Sequence, residues 1–204
     1  MFYCLIVTGA WLVWHLAFGI KVVGKEYLPK DRGFVLAPNH ISAIDPVFVV
    51  IARFWGQRLL IMAKEEIMHV NPIFTWMFNH VGVVSIERGR GDTDVIGGII
   101  DKVKDGQGVL IFPEGTRSKD GNPLRLKSGA FVVASAANVD MIPCRIIYRH
   151  GLMRVFSRVR VCFGPPIPAD QMYLGEVKSA AKLRANKKLL LDAWENLYQQ
   201  NKFE

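Results

Sequence analysis

Charge is missing from the first twenty residues, MFYCLIVTGAWLVWHLAFGI, and the first ionisable cation or acid of either sign beyond His15 is Lys21. A helix needs roughly 20 apolar residues to cross a hydrocarbon core. The run therefore predicts a membrane-embedded or membrane-surface helix over residues 1–20, ahead of a domain over 21–204. The absence of a basic leader and of a small-residue cleavage site argues against a secretory signal peptide. Cysteine is scarce too. Cys4, Cys144 and Cys162 are widely spaced with no CxxC, which excludes a disulfide framework and a cysteine zinc site and implies a reducing, cytoplasm-facing setting. His40, His69 and His80 lack zinc spacing, so no metal is expected. No repeat or Pro/Ser-rich linker divides the 204 residues, and one core suffices for that length. No Lys/Arg-rich tract interleaved with aromatics is present, so nucleic acid is not an expected partner.

What is present is hydrophobicity, 50% of the residues, and a positive balance of 26 basic against 18 acidic side chains, +8 in all. A basic chain attracts anionic partners. Together with the apolar start, this points to a phospholipid membrane and a phosphorylated substrate.

Apolar runs bounded by Gly, Pro and charged turns read as strands at IKVVG, GFVLAP, RLLIMA, VGVVSIE, GVLIFP, MIPCRIIY and SRVRVCFG. Between them, Asp45-Pro46 reads as an N-cap and first-turn proline opening a helix. Asn71-Pro72 starts another, running to about His80. Asp92 or Thr93 caps a third, with Val95, Ile96, Ile99, Ile100 and Val103 on one face and Gly106 at its end. SGAFVVASAAN is a small-residue helix, and Val177 to Gln199 a long one whose stripe is Val177, Ala180, Leu183, Leu190, Trp194 and Leu197. Strands alternating with helices predict an α/β domain with a mixed, largely parallel sheet flanked by helices. In such sheets ligands bind beyond the carboxyl ends of the strands.

Three loops follow predicted strands and carry chemistry. In APNHISAIDPV, His40 and Asp45 are five residues apart, roughly 140° on a continuous helix, but a loop between them lets the carboxylate reach the ring. Such a pair is either ordinary loop capping or a base with its orienting acid. FPEGTRS supplies Glu114, Gly115, Thr116 and Arg117, followed by Lys127 in RLKSGA. IERGR supplies Glu87, Arg88 and Arg90. Each could be a solvated surface turn; several cations at strand ends could instead converge on a phosphate.

The blocks NHISAID, IERGR, FPEGTRS and MIPC, in that order, resemble the glycerolipid acyltransferases typified by 1-acyl-sn-glycerol-3-phosphate acyltransferase (lysophosphatidic acid acyltransferase). The first matches that family's N-H-x-x-x-x-D block and the third is nearly letter for letter. The resemblance covers roughly residues 20 to 165. Ser85, Glu87 and Cys144 depart from the residues common there. The resemblance implies a glycerol-3-phosphate acyltransferase-like fold, with His40 as general base and Asp45 orienting it. It implies Arg88 and Arg117 on the acceptor phosphate, Gly115 and Thr116 shaping the loop, Glu114 positioning these groups and Lys127 as a further ligand. It implies acyl-CoA or acyl-carrier protein as co-substrate, lysophosphatidate as acceptor, no cofactor, and a site on the cytoplasmic face of the cell membrane. The sequence has neither a Gly-x-Ser-x-Gly elbow nor a cysteine beside the histidine, in keeping with direct transfer. Another acceptor on the same fold, or a non-catalytic phospholipid-binding protein, are the alternatives.

Overall fold

The computed structural model describes residues 2–53, 59–64, 83–86 and 92–204; the helix expected from Asn71 to His80 lies outside them. Helix α1 (Phe2–Ala17) leads into β1 (Ile20–Val23) and a 3-10 turn at Lys25–Tyr27. Then come β2 (Phe34–Pro38), α2 (Asp45–Ala52), β3 (Leu60–Lys64), β4 (Val83–Ile86) and α3 (Asp92–Lys104). The chain continues through β5 (Gly108–Leu110), α4 (Gly129–Ala137), β6 (Met141–Tyr148), β7 (Val159–Phe163), α5 (Ala169–Met172) and α6 (Ala180–Asn201).

Among the described residues, the sheet has seven strands in the order β1-β7-β6-β2-β5-β3-β4. Every pairing is parallel except β6 with β7. All five residues of β2 are buried, as a central strand covered on both faces requires. Alternation sends Phe34 and Leu36 to one face, with Phe48, Val49 and Ala52 of α2, and Val35 and Ala37 to the other. That second face is covered by Ile99 and Val103 of α3, Phe131 and Ala134 of α4, and Leu190 and Trp194 of α6. Fully burying one such side chain contributes about 1.5–3 kcal/mol, so the helices are held chiefly by their apolar stripes.

The expected stripes of two helices need correction. Val177 is not part of α6, which begins after the Ser179 cap, and it stands 89% exposed. Ala180 and Val95 also face solvent rather than the core. A stripe extrapolated past a cap has no helix to carry it. Among the described residues, no helix is long and apolar enough to cross a membrane; α1 has 16 residues. It joins the domain through its end, where Phe18 packs edge-on against Phe48 with ring centroids 5.2 Å apart.

Candidate active site

Strands β2, β3, β4, β5 and β6 run in one direction, so their carboxyl ends share one edge. Asn39 extends β2 beyond its ladder: its side chain accepts from the Ile146 amide at 2.7 Å and donates to the Ile146 carbonyl at 3.2 Å. This pair of hydrogen bonds to β6 fixes the point at which the next residue, His40, leaves the sheet.

His40 Nδ1 lies 2.9 Å from Asp45 Oδ2. The same oxygen accepts the backbone amides of Ile41 at 2.6 Å and Ser42 at 2.7 Å. Asp45 Oδ1 accepts the phenol of Tyr148, the last residue of β6. Asp45 is completely buried, while the His40 side chain keeps 17% exposure. A buried carboxyl group without partners would be costly; this one has four, the His40 ring, the Ile41 and Ser42 amides and the Tyr148 hydroxyl. With Nδ1 donating to it, the histidine's Nε2 is left with its lone pair. The imidazole stacks on Phe112, centroids 4.1 Å apart, so its plane is held as well as its tautomer.

The expected N-cap role of Asp45 is corrected here. Asp45 opens α2 without capping it, because its carboxylate turns back to the 41–42 amides and the ring.

The FPEGTRS loop brackets His40 from both sides of its backbone. Glu114 Oε1 accepts the His40 amide at 3.2 Å, and the Ser118 amide donates to the His40 carbonyl at 2.8 Å. Glu114 Oε2 accepts the Leu124 amide at 3.4 Å. Glu114 is 2% exposed. Burial raises its carboxyl to about 7, against the lowering effect of those amides and of the Arg145 charge. It thus ties two loops together rather than projecting towards solvent. Arg145 lies on the opposite face of β6 from Tyr148, over the Tyr198 ring at 5.5 Å. Burial depresses its guanidinium, and the charges of Glu114 and Glu195 oppose that.

Gly115 has φ +65°, and a Cβ there would lie 2.8 Å from Lys127 Cδ. The left-handed turn and the close lysine stem both favour glycine. The Lys127 amide also bonds the Pro113 carbonyl at 2.8 Å. Gly115 and Lys127 are therefore together, while Thr116 and Arg117 stand exposed on the same loop. Arg88 lies outside the described residues, as do Glu87, Arg90, His69 and His80. Among the described residues no cluster of three or more His, Cys, Asp or Glu side chains is arranged to hold a metal.

Tyr148 was not singled out by sequence reasoning. The available signal was a hydroxyl at the end of an apolar strand, since a buried tyrosine needs a partner for it. Burial first, then the Asp45 charge, pushes this phenol far upward, so it stays a donor. A solvent-open recess of about 500 Å³ lined by Asp31, Arg32 and Asp140 sits at the other, amino-terminal edge of the sheet, away from this chemistry.

Fold and site together define an α/β domain with a histidine–aspartate dyad at the carboxyl edge of a mainly parallel sheet. The profile of the Acyltransferase family matches residues 19–147, and the chain belongs to that family. It is 34% identical over 160 residues to a chloroplastic 1-acyl-sn-glycerol-3-phosphate acyltransferase of Arabidopsis thaliana, a match covering 74% of this chain and 44% of that one. It is 30% identical over 132 residues to the 1-acyl-sn-glycerol-3-phosphate acyltransferase of Bacillus subtilis, covering 65% and 64% respectively. The match thus spans less than half the length of the plant relative. The crystal structure of the 1-acyl-sn-glycerophosphate acyltransferase PlsC from Thermotoga maritima has the same fold, with TM-score 0.70 at 20% identity, covering 98% of this chain and 81% of that one.

Proposed function

We propose that this protein moves a fatty acyl group from acyl-CoA or acyl-carrier protein to the sn-2 hydroxyl of 1-acyl-sn-glycerol-3-phosphate, forming phosphatidic acid for phospholipid synthesis. The observation that carries the reading is the 2.9 Å contact between His40 Nδ1 and Asp45 Oδ2. It is supported by relatives whose names state that reaction.

In this mechanism His40 Nε2 takes the proton of the acceptor hydroxyl as the oxygen attacks the thioester carbonyl. Asp45 stabilises the resulting imidazolium. The tetrahedral adduct collapses, the C–S bond breaks, and the thiolate leaves and receives the proton. Arg117, Arg88 and Lys127 hold the acceptor phosphate, with Gly115 and Thr116 giving the loop its shape and Glu114 holding that loop to the His40 backbone. The apolar helix α1 keeps the site at the cytoplasmic surface of the cell membrane, where acceptor and product reside.

The test is turnover of lysophosphatidate by purified protein, with acyl-CoA and acyl-carrier protein supplied in turn and glycerol-3-phosphate as the competing acceptor. His40→Ala is expected to lower turnover roughly 10²–10⁴-fold with an unchanged circular dichroism spectrum. Retained turnover in that variant would remove the proposed base.

A further inference from the structure

Directly after Tyr148, whose phenol holds Asp45, the chain forms the β6–β7 connection, residues 149–158, RHGLMRVFSR. It contains three arginines, Arg149, Arg154 and Arg158, and no acid. All three are exposed. So are Leu152 at 40%, Val155 at 63% and Phe156 at 84%. Phe156 has φ +60°, in a turn closed by the Ser157 amide on the Arg154 carbonyl at 3.2 Å. A bulky residue in the left-handed region is an outlier, and an aromatic ring in water carries a second cost. Glycine would remove both. A strained, exposed phenylalanine at a turn tip calls for an apolar partner that solvent does not supply.

We propose that this connection inserts into an anionic phospholipid leaflet, with Phe156, Val155 and Leu152 entering the acyl region and the arginines resting on the headgroups. The bilayer is chosen over a protein surface for two reasons on the molecule itself. The charge is of one sign and rims the apolar tip, which complements an anionic leaflet. The connection also ends beside the end of α1, a helix with its own exposed apolar residues, Leu12, Val13 and Leu16 at 54%, 54% and 79%. The link is direct: a Cβ on Gly19, at the end of α1, would touch Arg158 Cγ at 3.4 Å, and the Val159 amide bonds the Gly19 carbonyl at 3.4 Å. The other end of the connection is seated on the candidate active site. Gly121, in the loop between Glu114 and Lys127, approaches so closely that a Cβ would fall 2.7 Å from the Gly151 carbonyl oxygen. Two apolar contacts, α1 and the connection, both leading into the same ends of β1 and β7, would set the tilt of the site over the leaflet.

This inference rests on the membrane-surface part of the proposed function, and its test separates the two. The full chain is floated with vesicles of equal phosphatidylglycerol and phosphatidylcholine, and amide exchange is followed by mass spectrometry. Phe156→Gly, which leaves the turn unstrained, is expected to lower the bound-to-free ratio about tenfold. Val177→Ser, removing an exposed apolar side chain elsewhere, leaves the ratio unchanged. Residues 150–158 gain exchange protection on the vesicles. Wild-type binding by Phe156→Gly, no added protection in that segment, or protection arising from protein concentration alone without vesicles, as for a second copy, would each overturn the proposal. Acyl transfer to lysophosphatidate in detergent is measured in parallel. Transfer with unchanged Phe156→Gly binding defeats the insertion alone, whereas lost binding with no transfer leaves insertion standing and defeats the acyltransferase reading.

Discussion

Asp45 sits in a shell of four donors, and removing each has a different consequence. Tyr148→Phe deletes one bond while keeping the ring that packs on Phe48, centroids 6.0 Å apart. In the proposed mechanism it is expected to lower kcat about tenfold, losing one bond to a charged group worth about 1.5–3 kcal/mol, with KM for the acceptor unchanged. Because it acts through His40, adding it to His40→Ala should cost nothing further; steady-state kinetics of the double variant checks this. Glu114 gives a pH signature instead. Its carboxyl is raised from 4.5 to about 7 in the fold, so between those values the folded state binds more protons than the unfolded one. Stability therefore falls as pH rises from 4.5 to 7, by on the order of 3 kcal/mol, and is flat above. Glu114→Gln is expected to flatten that slope in urea midpoints measured at pH 5 and 7.5. His40 with Asp45 was legible in the sequence because a histidine and an aspartate interrupt an apolar stretch. The cap reading of Asp45 failed because local sequence does not reveal which amides a short carboxylate will find. Tyr148, 103 residues further on, could be joined to it only by the sheet.

Among the elements, the strands were the most legible. Fully buried parallel strands are short apolar runs, and β2 and β6 appear where GFVLAP and MIPCRIIY stand. GVLIFP is longer than β5, which ends at Leu110, because Phe112 turns away to stack on His40. Helix α6 was legible by its stripe but not by its start, since Val177 continues the apolar pattern beyond the cap. The stripe's centre is Trp194, 1% exposed, whose indole donates to the Ala37 carbonyl at 3.0 Å. Trp194→Ala is expected to destabilise the fold by about 3–5 kcal/mol. Trp194→Phe, which loses mainly that hydrogen bond, should cost about 1–2 kcal/mol. Chemical denaturation of both variants tests the difference. The 3-10 turn and the four-residue α5 had no periodicity long enough to be read.

For the whole molecule, an α/β class with a largely parallel sheet was legible from the alternation of elements, but the strand order was not. Nothing near Ile20 says that it will lie beside Val159; that pairing depends on the reversal between β6 and β7. The reversal brings the end of α1 to the same edge as His40, so the apolar start of the chain and the dyad share one side although the sequence separates them.

The pairing of β1 with β7 also orders events during synthesis. Residues 20–23 find their ladder partners in residues 159–162, so a ribosome must make that distant segment before β1 has its neighbour. Until then the uncharged stretch ahead of it stays available to whatever receives nascent apolar segments, a nearby bilayer or a holdase, while β2 and its neighbours assemble. β1 thus gains its neighbour only once β7 has been made.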